Sequence, residues 1–572
     1  MSSTADELAS QQKTMTGAQL VIDLLEAEGV TTVFGVPGGA VLPVYDALGA
    51  SSIAHVLARH EQGAGFMAQG MARVTGKAQV CIASSGPGAS NLLTAVADAK
   101  MDSIPLVAIT GQVSQHLLGT DAFQELDTAS LMAPITKFNC MVRSVEELAE
   151  LIPRAFEIAQ SGRPGPVSID IPKDVQLQQM SVSNAQKAST QIASQETDLE
   201  TLDGVLESLQ RAHKPIILAG AGVIKAGASA ALKHFVENNE ILVAHTLLGL
   251  GALPGGHPLS LGMLGMHAAP YTNHLLQECD CLLAVGARFD DRATGEPSTF
   301  CPNADVIHID IDSRELGKII KPSLAIQADA LQFLTALNRR QQKPKHQRHP
   351  VWLQRAQQLK QTRGLRQADS DSLLQPYGLI NHIADVLDDN AIITTDVGQH
   401  QMWVAQAFPF QWPGQLVTSG GLGTMGFGLP AAIGCALAEP DKTIVCFTGD
   451  GSLMMNLQEL ATVAEHQLNI KICVLDNGHL GLVRQQQKLF YQGNFQANAF
   501  QQRTNFVMAA HSMGVAGFNL AQSEQPRFNL TQSLQSKEPT LIACPIDEDE
   551  LVLPMVPPGA ANHEMIEDKS LR

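Results

Sequence analysis

The chain has 572 residues, 45% of them hydrophobic and 16% charged, which suits several globular domains rich in buried parallel sheet. A formal net charge of −18 argues against nucleic acid or an anionic membrane as partner, since both need a basic surface. Nine scattered cysteines, with only Cys279 and Cys281 close together, offer neither a zinc spacing nor a disulfide framework and point to a reducing compartment. The opening MSSTADELASQQKT has acids and no apolar core, so neither a secretory signal nor a transit peptide is expected. No apolar run reaches the ~18 residues of a membrane span. A soluble, cytoplasmic protein is the expectation.

Along the chain, short apolar strands alternate with Gly-containing turns and helix-length segments. TTVFGVPGG, AQVCIASSGPG, IPLVAITGQ and GPVSIDIP come first, and KPIILAGAG, CLLAVGARFDD and DVIHIDID follow. NAIITTDVG, KTIVCFTGDGS and IKICVLDNG complete the series. This pattern predicts an α/β fold of three doubly wound parallel-sheet domains, with ligands beyond the carboxyl ends of the strands. The Gln-rich stretches 176–199 and 339–375 read as linkers, the second with room for a surface helix. They leave domains at 1–180, 195–345 and 370–550 and a tail at 551–572. The first and third blocks each hold a Gly-rich helix start, SSGPGASNLLTAVADA and GGLGTMGFGLPAAIGCALA, which hints at a duplicated domain.

The chemistry concentrates around GDGS at 449–452. Asp450 ends one strand, and Asn477 of VLDNGHLG ends the next, 27 residues on, so a parallel sheet brings the two tips together. A carboxylate, a carboxamide and the loop carbonyl near His479 form a hard oxygen set suited to Mg²⁺, which completes its octahedron with phosphate and water. Flanking glycines admit a diphosphate to backbone N–H groups, and a helix expected to begin near Ser452 offers its positive end. Alone, GDG reads more readily as a turn and a helix cap than as a metal site. Paired with Asn477, it reads as a metal-diphosphate site.

GDGS with DNG resembles the thiamine-diphosphate motif. RHEQGAGFMAQGMAR (59–73), SSGPGASNLLT (84–94), GTDAFQE (119–125), SGRPGPVSIDIPKDV (161–175), GMLGMHA (262–268), GARFDDR (286–292), DVGQHQMW (396–403) and TSGGLGTMGFGLPAAIG (418–434) match in the same order. Together they resemble the catalytic large subunit of the acetohydroxyacid (acetolactate) synthases, with the type I isozyme of enterobacteria as the nearest likeness. The resemblance runs from about residue 15 to PMVPPGAAN (554–562). It implies a pyrimidine-binding domain, a Rossmann-like FAD-binding middle domain and a diphosphate-binding domain, in that order. The implied reaction decarboxylates pyruvate on thiamine diphosphate and transfers the hydroxyethyl unit to a second pyruvate or to 2-oxobutanoate. The products would be 2-acetolactate or 2-aceto-2-hydroxybutyrate, at the first common step of branched-chain amino-acid biosynthesis.

The resemblance also implies roles. Glu61 would meet N1′ of the aminopyrimidine, and Met425 would wedge the cofactor into its V shape, with the Gly423 carbonyl near the 4′-amino group. Val397, Gly398, Gln399, His400, Gly449, Gly451, Ser452, His479 and Gly481 would hold the diphosphate, and Asp450, Asn477 and His479 the metal. Arg292 would meet the acceptor carboxylate, though it fits equally an ion pair with Asp290 or Asp291. Gln124, Phe123 and Lys173 would line the substrate channel, and Gly38 and Gly39 one wall of it. A structural, non-redox FAD would draw on Arg163, Gly220, Gly222, Gly265, Met266, His267, Gly286, Arg288, Asp290, Arg292, Asp310, Ile311 and Asp329. A lone GAG or strand-end Asp is weak evidence for a dinucleotide, and tight turns explain both as well. The implied assembly is a homodimer or a dimer of dimers, with Glu61 of one copy serving the GDG site of another, plus a small regulatory subunit.

Two positions depart from the family pattern. Gly481-Leu482-Val483-Arg484-Gln485-Gln486 lacks the usual final Trp, and Asp476 replaces the first of two Asn. Losing that aromatic wall changes acceptor preference by only ~1–3 kcal/mol, predicting weak preference for 2-oxobutanoate over pyruvate. A flavin-dependent pyruvate oxidase is the nearest rival reading. A flavin-free decarboxylase or catabolic synthase would lack GARFDDR, and an inactive scaffold would not need Glu61, Asp450 and Asn477 together. An NAD dehydrogenase leaves Asp450 unexplained.

Overall fold

The computed structural model describes residues 14–181, 198–341, 349–365 and 371–567, and the chain divides into two compact units, 1–192 and 193–572. In the first unit, six parallel strands (Thr32–Gly35, Ala54–Leu57, Gln79–Ala83, Leu106–Gln112, Phe138–Met141 and Pro166–Pro172) lie in the spatial order 2-1-3-4-6-5. The three central strands are buried along their whole length, which is why they read as continuous apolar runs. Helices Gly17–Ala27 and Val145–Gln160 cover one face with Leu25, Leu148 and Ile152 in a common core. Thr16 and Gln19 close the first of these in a reciprocal capping box. Residues Gln179–Ser181, inside the stretch expected to be a linker, pair antiparallel with Thr14–Thr16. The remainder of that stretch to 197 lies outside the described residues.

The second unit holds two further six-stranded parallel sheets. Strands Pro215–Ala219, Leu242–His245, Ser260–Met263, Cys281–Val285, Asp305–Asp310 and Leu324–Gln327 take the order 3-2-1-4-5-6. That is the order of dinucleotide-binding sheets, whose direction switches between the first and fourth strands. Strands Ile392–Thr395, Leu416–Thr418, Ile444–Gly449, Ile470–Asp476, Ala516–Asn519 and Thr540–Pro545 repeat the 2-1-3-4-6-5 order of the first unit. The identical order supports the duplication suggested by the two Gly-rich helix starts. The predicted class, three doubly wound parallel sheets, is the observed one.

The basic stretch 339–375 is more than a linker. It contains the helix Pro350–Thr362, whose Trp352, Ala356 and Leu359 are buried in the core beside Leu275 and Leu282. The Trp352 indole N–H also donates to the Pro215 carbonyl at 3.3 Å. The flanking segments 342–348 and 366–370 lie outside the described residues. Nor is the tail detached. The Val556 N–H donates to the Met266 carbonyl (2.9 Å), and Asn562 bridges the Ala293 carbonyl and the Asn273 amide. Among the described residues no helix is long and apolar enough to cross a membrane.

Candidate active site

In the second unit, the strands ending at Gly449 and Asp476 run side by side with Gly449 opposite Leu475. Their tips are tied by Asp450, which accepts the Gly451 N–H through Oδ1 (2.9 Å) and the Gly478 N–H through Oδ2 (2.7 Å). Asp450 opens a four-residue helical turn, two residues earlier than expected, with Gly449 as its cap. Asn477 donates to Gln399 Oε1 at 3.2 Å, and its own Oδ1 accepts the His479 N–H at 3.0 Å. Gln399 is fixed in turn, since its amide donates to Gln485 Oε1 (3.0 Å) and to the Glu550 carbonyl (2.8 Å).

These tips open onto a cleft. Val397, Gly398, Gln399, His400, Met425, Gly449, Asp450, Gly451, Ser452, Asn477, His479 and Gly481 all line it, so twelve of the thirteen cofactor and metal candidates from this part of the chain converge. The exception, Gly423, lies two residues from Met425 and is exposed. Trp403, Leu475, Leu480, Leu482, Val483 and Ile546 complete the lining and supply its apolar wall. Gly398 is required by its backbone. At φ +154° and ψ −162° it occupies a region open to glycine, and a Cβ there would lie 2.8 Å from His400 Cε1. Ser452 Oγ donates to the Val397 carbonyl at 2.8 Å, joining the two loops that face each other across the cleft.

The electrostatics call for a cation. Burial, reinforced by Asp476 alongside, pushes the Asp450 carboxyl up to about 7 against the pull of its two N–H donors. Burial also drives His400 down to about 3, so its ring is neutral, and its Nε2 is buried without a hydrogen-bond partner. The cleft is lined by no Lys or Arg among the described residues. A diphosphate placed there would have neutral donors and little positive charge from side chains. A divalent ion between Asp450 and Asn477 would supply what is missing, and the hard donor set would fit Mg²⁺.

In the first unit, Glu61 is the first residue of the helix Glu61–Thr75, capped by the His60 ring through the Gln62 N–H. Its Oε2 accepts the Asn91 side-chain amide at 2.9 Å, and Gly88 leaves space beside Oε1, where a Cβ would stand at 3.4 Å. Gly38 abuts Ser84, where a Cβ would come within 2.5 Å, at the point where the strand order reverses. Gln124 adopts φ +61° and packs its backbone on Gly86, next to the same loop. Phe123 is 87% exposed, Gly39 has no neighbour that a Cβ would meet, and Lys173 is half-buried at the start of Lys173–Leu177. Asp170 is a buried carboxyl that sequence reading passed over. It accepts from Thr110 (2.8 Å) and Gln112 (3.0 Å), and Gln112 also holds the Leu126 carbonyl of the Gln124 loop.

The flavin candidates separate into groups. Gly220, Gly222 and Gly286 meet at the switch point of the 3-2-1-4-5-6 sheet, so close that a Cβ on Gly220 would lie 2.0 Å from the Gly286 oxygen. Asp310 ends the adjacent strand, nearly buried, with Ile311 following it, and Arg288 is half-buried in the same loop as Gly286. Gly265 (φ +94°), Met266 and His267 lie under the tail, with the His267 ring 3.0 Å from the Pro554 carbonyl and pushed down to about 4 by burial. Asp290 and Asp329 spend their carboxylates capping helices, on the N–H groups of Arg292 and Ala293 and of Leu331 and Gln332. Arg163 belongs to the first unit and donates to Ser103 Oγ at 2.8 Å. The Arg292 guanidinium is 61% exposed and 3.7 Å from Asp291, the ion pair that the sequence left open.

Three segments match thiamine pyrophosphate enzyme families: residues 15–131 the N-terminal TPP binding domain, 202–337 the central domain and 396–544 the C-terminal TPP binding domain. The chain is 51% identical over 560 residues to the acetolactate synthase isozyme 1 large subunit of Escherichia coli, covering 97% of this chain and 98% of that one. It is 47% identical to the isozyme 2 large subunit of the same organism, over 97% and 100% of the two chains. Against the acetolactate synthase large subunit of Lactococcus lactis the identity is 41%, over 97% and 96%. With three thiamine pyrophosphate domains and near-complete coverage of these relatives, the chain belongs to the acetolactate synthase large-subunit family of thiamine pyrophosphate enzymes.

Proposed function

We propose that the cleft at the tips of Gly449 and Asp476 anchors the diphosphate of thiamine diphosphate through Mg²⁺, in an enzyme that joins two 2-keto acids. The activity is acetolactate synthesis, a transferase reaction in which one pyruvate loses CO₂ and its two-carbon unit is added to a second pyruvate or to 2-oxobutanoate. When bound, thiamine diphosphate supplies the carbanion chemistry. The observation that carries the metal reading is a cleft with a buried carboxylate and, among the described residues, no Lys or Arg in its lining.

In this reading Asp450, Asn477 and the backbone at His479 hold the metal, and Gly451, Ser452, Gln399, His400 and Gly481 hold the diphosphate. Met425 shapes the cofactor from below, and Glu61, oriented by Asn91, holds the proton at the aminopyrimidine ring. Arg292 meets the acceptor carboxylate, and Gln124 and Lys173 line the substrate entry. FAD would be held by the Gly220, Gly222 and Gly286 turns and Asp310, supported by the dinucleotide order of the middle sheet, and takes no part in the chemistry. A small regulatory subunit belongs to the same proposal, supported by relatives named as large subunits, and so do a homodimer or dimer of dimers and a cytoplasmic location.

The test is acetolactate formation from pyruvate, read colorimetrically as acetoin after acid treatment. Activity is expected only with thiamine diphosphate and Mg²⁺ and absent in Asp450→Ala. Activity that persists in Asp450→Ala at low Mg²⁺ overturns the anchor.

A further inference from the structure

Asp396 lies at the mouth of the strand Ile392–Thr395, one residue before the predicted diphosphate loop, and is 1% exposed. Its Oδ1 accepts the N–H groups of Val397 (2.9 Å) and Gly426 (2.8 Å). Its Oδ2 accepts the N–H of Gly428 (3.1 Å) and lies 3.4 Å from the Thr448 hydroxyl, which it shares with the Gly449 carbonyl at 3.2 Å. Its own N–H donates to the Phe447 carbonyl at 2.8 Å. One side chain therefore binds three segments together: the diphosphate loop, the strand that leads to Asp450, and the turn that carries Met425 into the helix Gly428–Ala438.

We propose that Asp396 is a positioning residue, a carboxylate clamp that sets the Met425 turn against the strand tips that hold the diphosphate. This rests on the reading of Met425 as the residue that shapes the cofactor. The turn is held from two sides, with Ser419 Oγ accepting the Thr424 N–H (2.8 Å) and Asp396 fixing the side that faces the strand tips. Gly426 sits at φ +87°, its N–H taken by Asp396 and its carbonyl by the Asn456 amide at 2.7 Å. A Cβ on Gly428 would lie 2.8 Å from the Asp396 nitrogen, so the two backbones are already in contact. All four partners of the carboxylate are donors. An Asn keeps the size but turns an N–H₂ toward at least one of these N–H groups, leaving a buried donor unpaired. Burial pushes the carboxyl up to about 6, while the four donors favour its charged form.

Asp396 is buried and does not line the cleft, so its removal should separate cofactor affinity from cofactor geometry. The experiment uses the full chain loaded with thiamine diphosphate and Mg²⁺. Exchange of the thiazolium C2 proton for deuterium is followed by NMR after acid quench, and the cofactor dissociation constant by tryptophan fluorescence. In Asp396→Asn, C2 exchange is expected to slow at least tenfold and kcat to fall with it, while the dissociation constant changes less than threefold and KM for pyruvate stays unchanged. Exchange at the parent rate overturns the proposal, as does a loss of exchange fully accounted for by lost cofactor binding. Met425→Ala reports separately on the underlying reading: unchanged exchange there removes the role of Met425 while Asp396→Asn still tests the clamp. Should Asp396→Asn fail to fold, Thr448→Val removes one donor of the same cluster. Slower exchange at unchanged cofactor affinity in that variant supports the clamp, and parent exchange overturns it.

Discussion

Replacing Gly481 by alanine asks how tightly the metal-binding tip is built. Gly481 has ordinary negative φ and begins the helix Gly481–Phe490, so propensity alone favours alanine there by up to ~1 kcal/mol. Space decides otherwise. The new Cβ would lie 2.0 Å from Gln399 Oε1 and 2.6 Å from Asn477 Nδ2. Gln399 cannot swing away freely, because its amide is held by Gln485 and the Glu550 carbonyl and its oxygen by Asn477. Moving it breaks two or three hydrogen bonds, each worth about 0.5–1.5 kcal/mol net. The loss exceeds the propensity gain, so Gly481→Ala should destabilise by roughly 1–3 kcal/mol and displace the Asn477 carboxamide. With one proposed Mg²⁺ ligand displaced, the Mg²⁺ needed for half-saturation with thiamine diphosphate should rise about 10- to 100-fold. Titration of Mg²⁺ at fixed cofactor, read by tryptophan fluorescence, checks this, with thermal unfolding of the apoprotein alongside. A variant as stable as the parent and with the same Mg²⁺ dependence would refute the reasoning.

Three other expectations bear on separate parts of the molecule. Asn91→Ala removes the one side-chain donor shown to orient Glu61, about 1 kcal/mol, and should slow turnover roughly fivefold with cofactor affinity unchanged, measured by kcat beside fluorescence binding. Asp170 is pushed up to about 7 by burial, so its stabilising contribution is complete below about 3.8 and is lost as pH rises through about 7. Asp170→Asn should therefore gain melting temperature relative to the parent between pH 5 and pH 8, and parallel curves would contradict the burial argument. Gln486→Trp, restoring the missing aromatic, should raise the ratio of 2-aceto-2-hydroxybutyrate to acetolactate when both acceptors compete, by about 10-fold or more.

The sheets and the meeting of the Asp450 and Asn477 tips were legible because their signals are local. Apolar runs ending in Gly or Asp mark buried parallel strands, and Asp450 and Asn477 sit at corresponding ends of two such runs, which the register confirms. What stayed hidden depends on contacts between distant segments. Asp396 reads in sequence as an ordinary strand-end acid, and its partners Gly426, Gly428 and Thr448 lie 30 to 52 residues away. A helix in 339–375 was expected only at the surface, and the burial of Pro350–Thr362 was obscured because Trp352, Ala356 and Leu359 stand among Gln, Lys and Arg. The tail showed no periodicity, since it works through single hydrogen bonds to Met266, Asn273 and Ala293 and not through an amphipathic face. Arg292 was ambiguous in sequence because its neighbours are acids, and in the structure it does pair with Asp291.

The most direct measurement substitutes Mn²⁺ for Mg²⁺ in crystals grown with thiamine diphosphate and locates the ion by anomalous scattering. One peak is expected between the Asp450 carboxylate and the Asn477 side-chain oxygen, about 2.0–2.3 Å from each, with diphosphate oxygens completing its shell. Diphosphate bound in the cleft with no metal at these two residues, or with the ion held elsewhere, would contradict the assignment of Asp450 as the anchor.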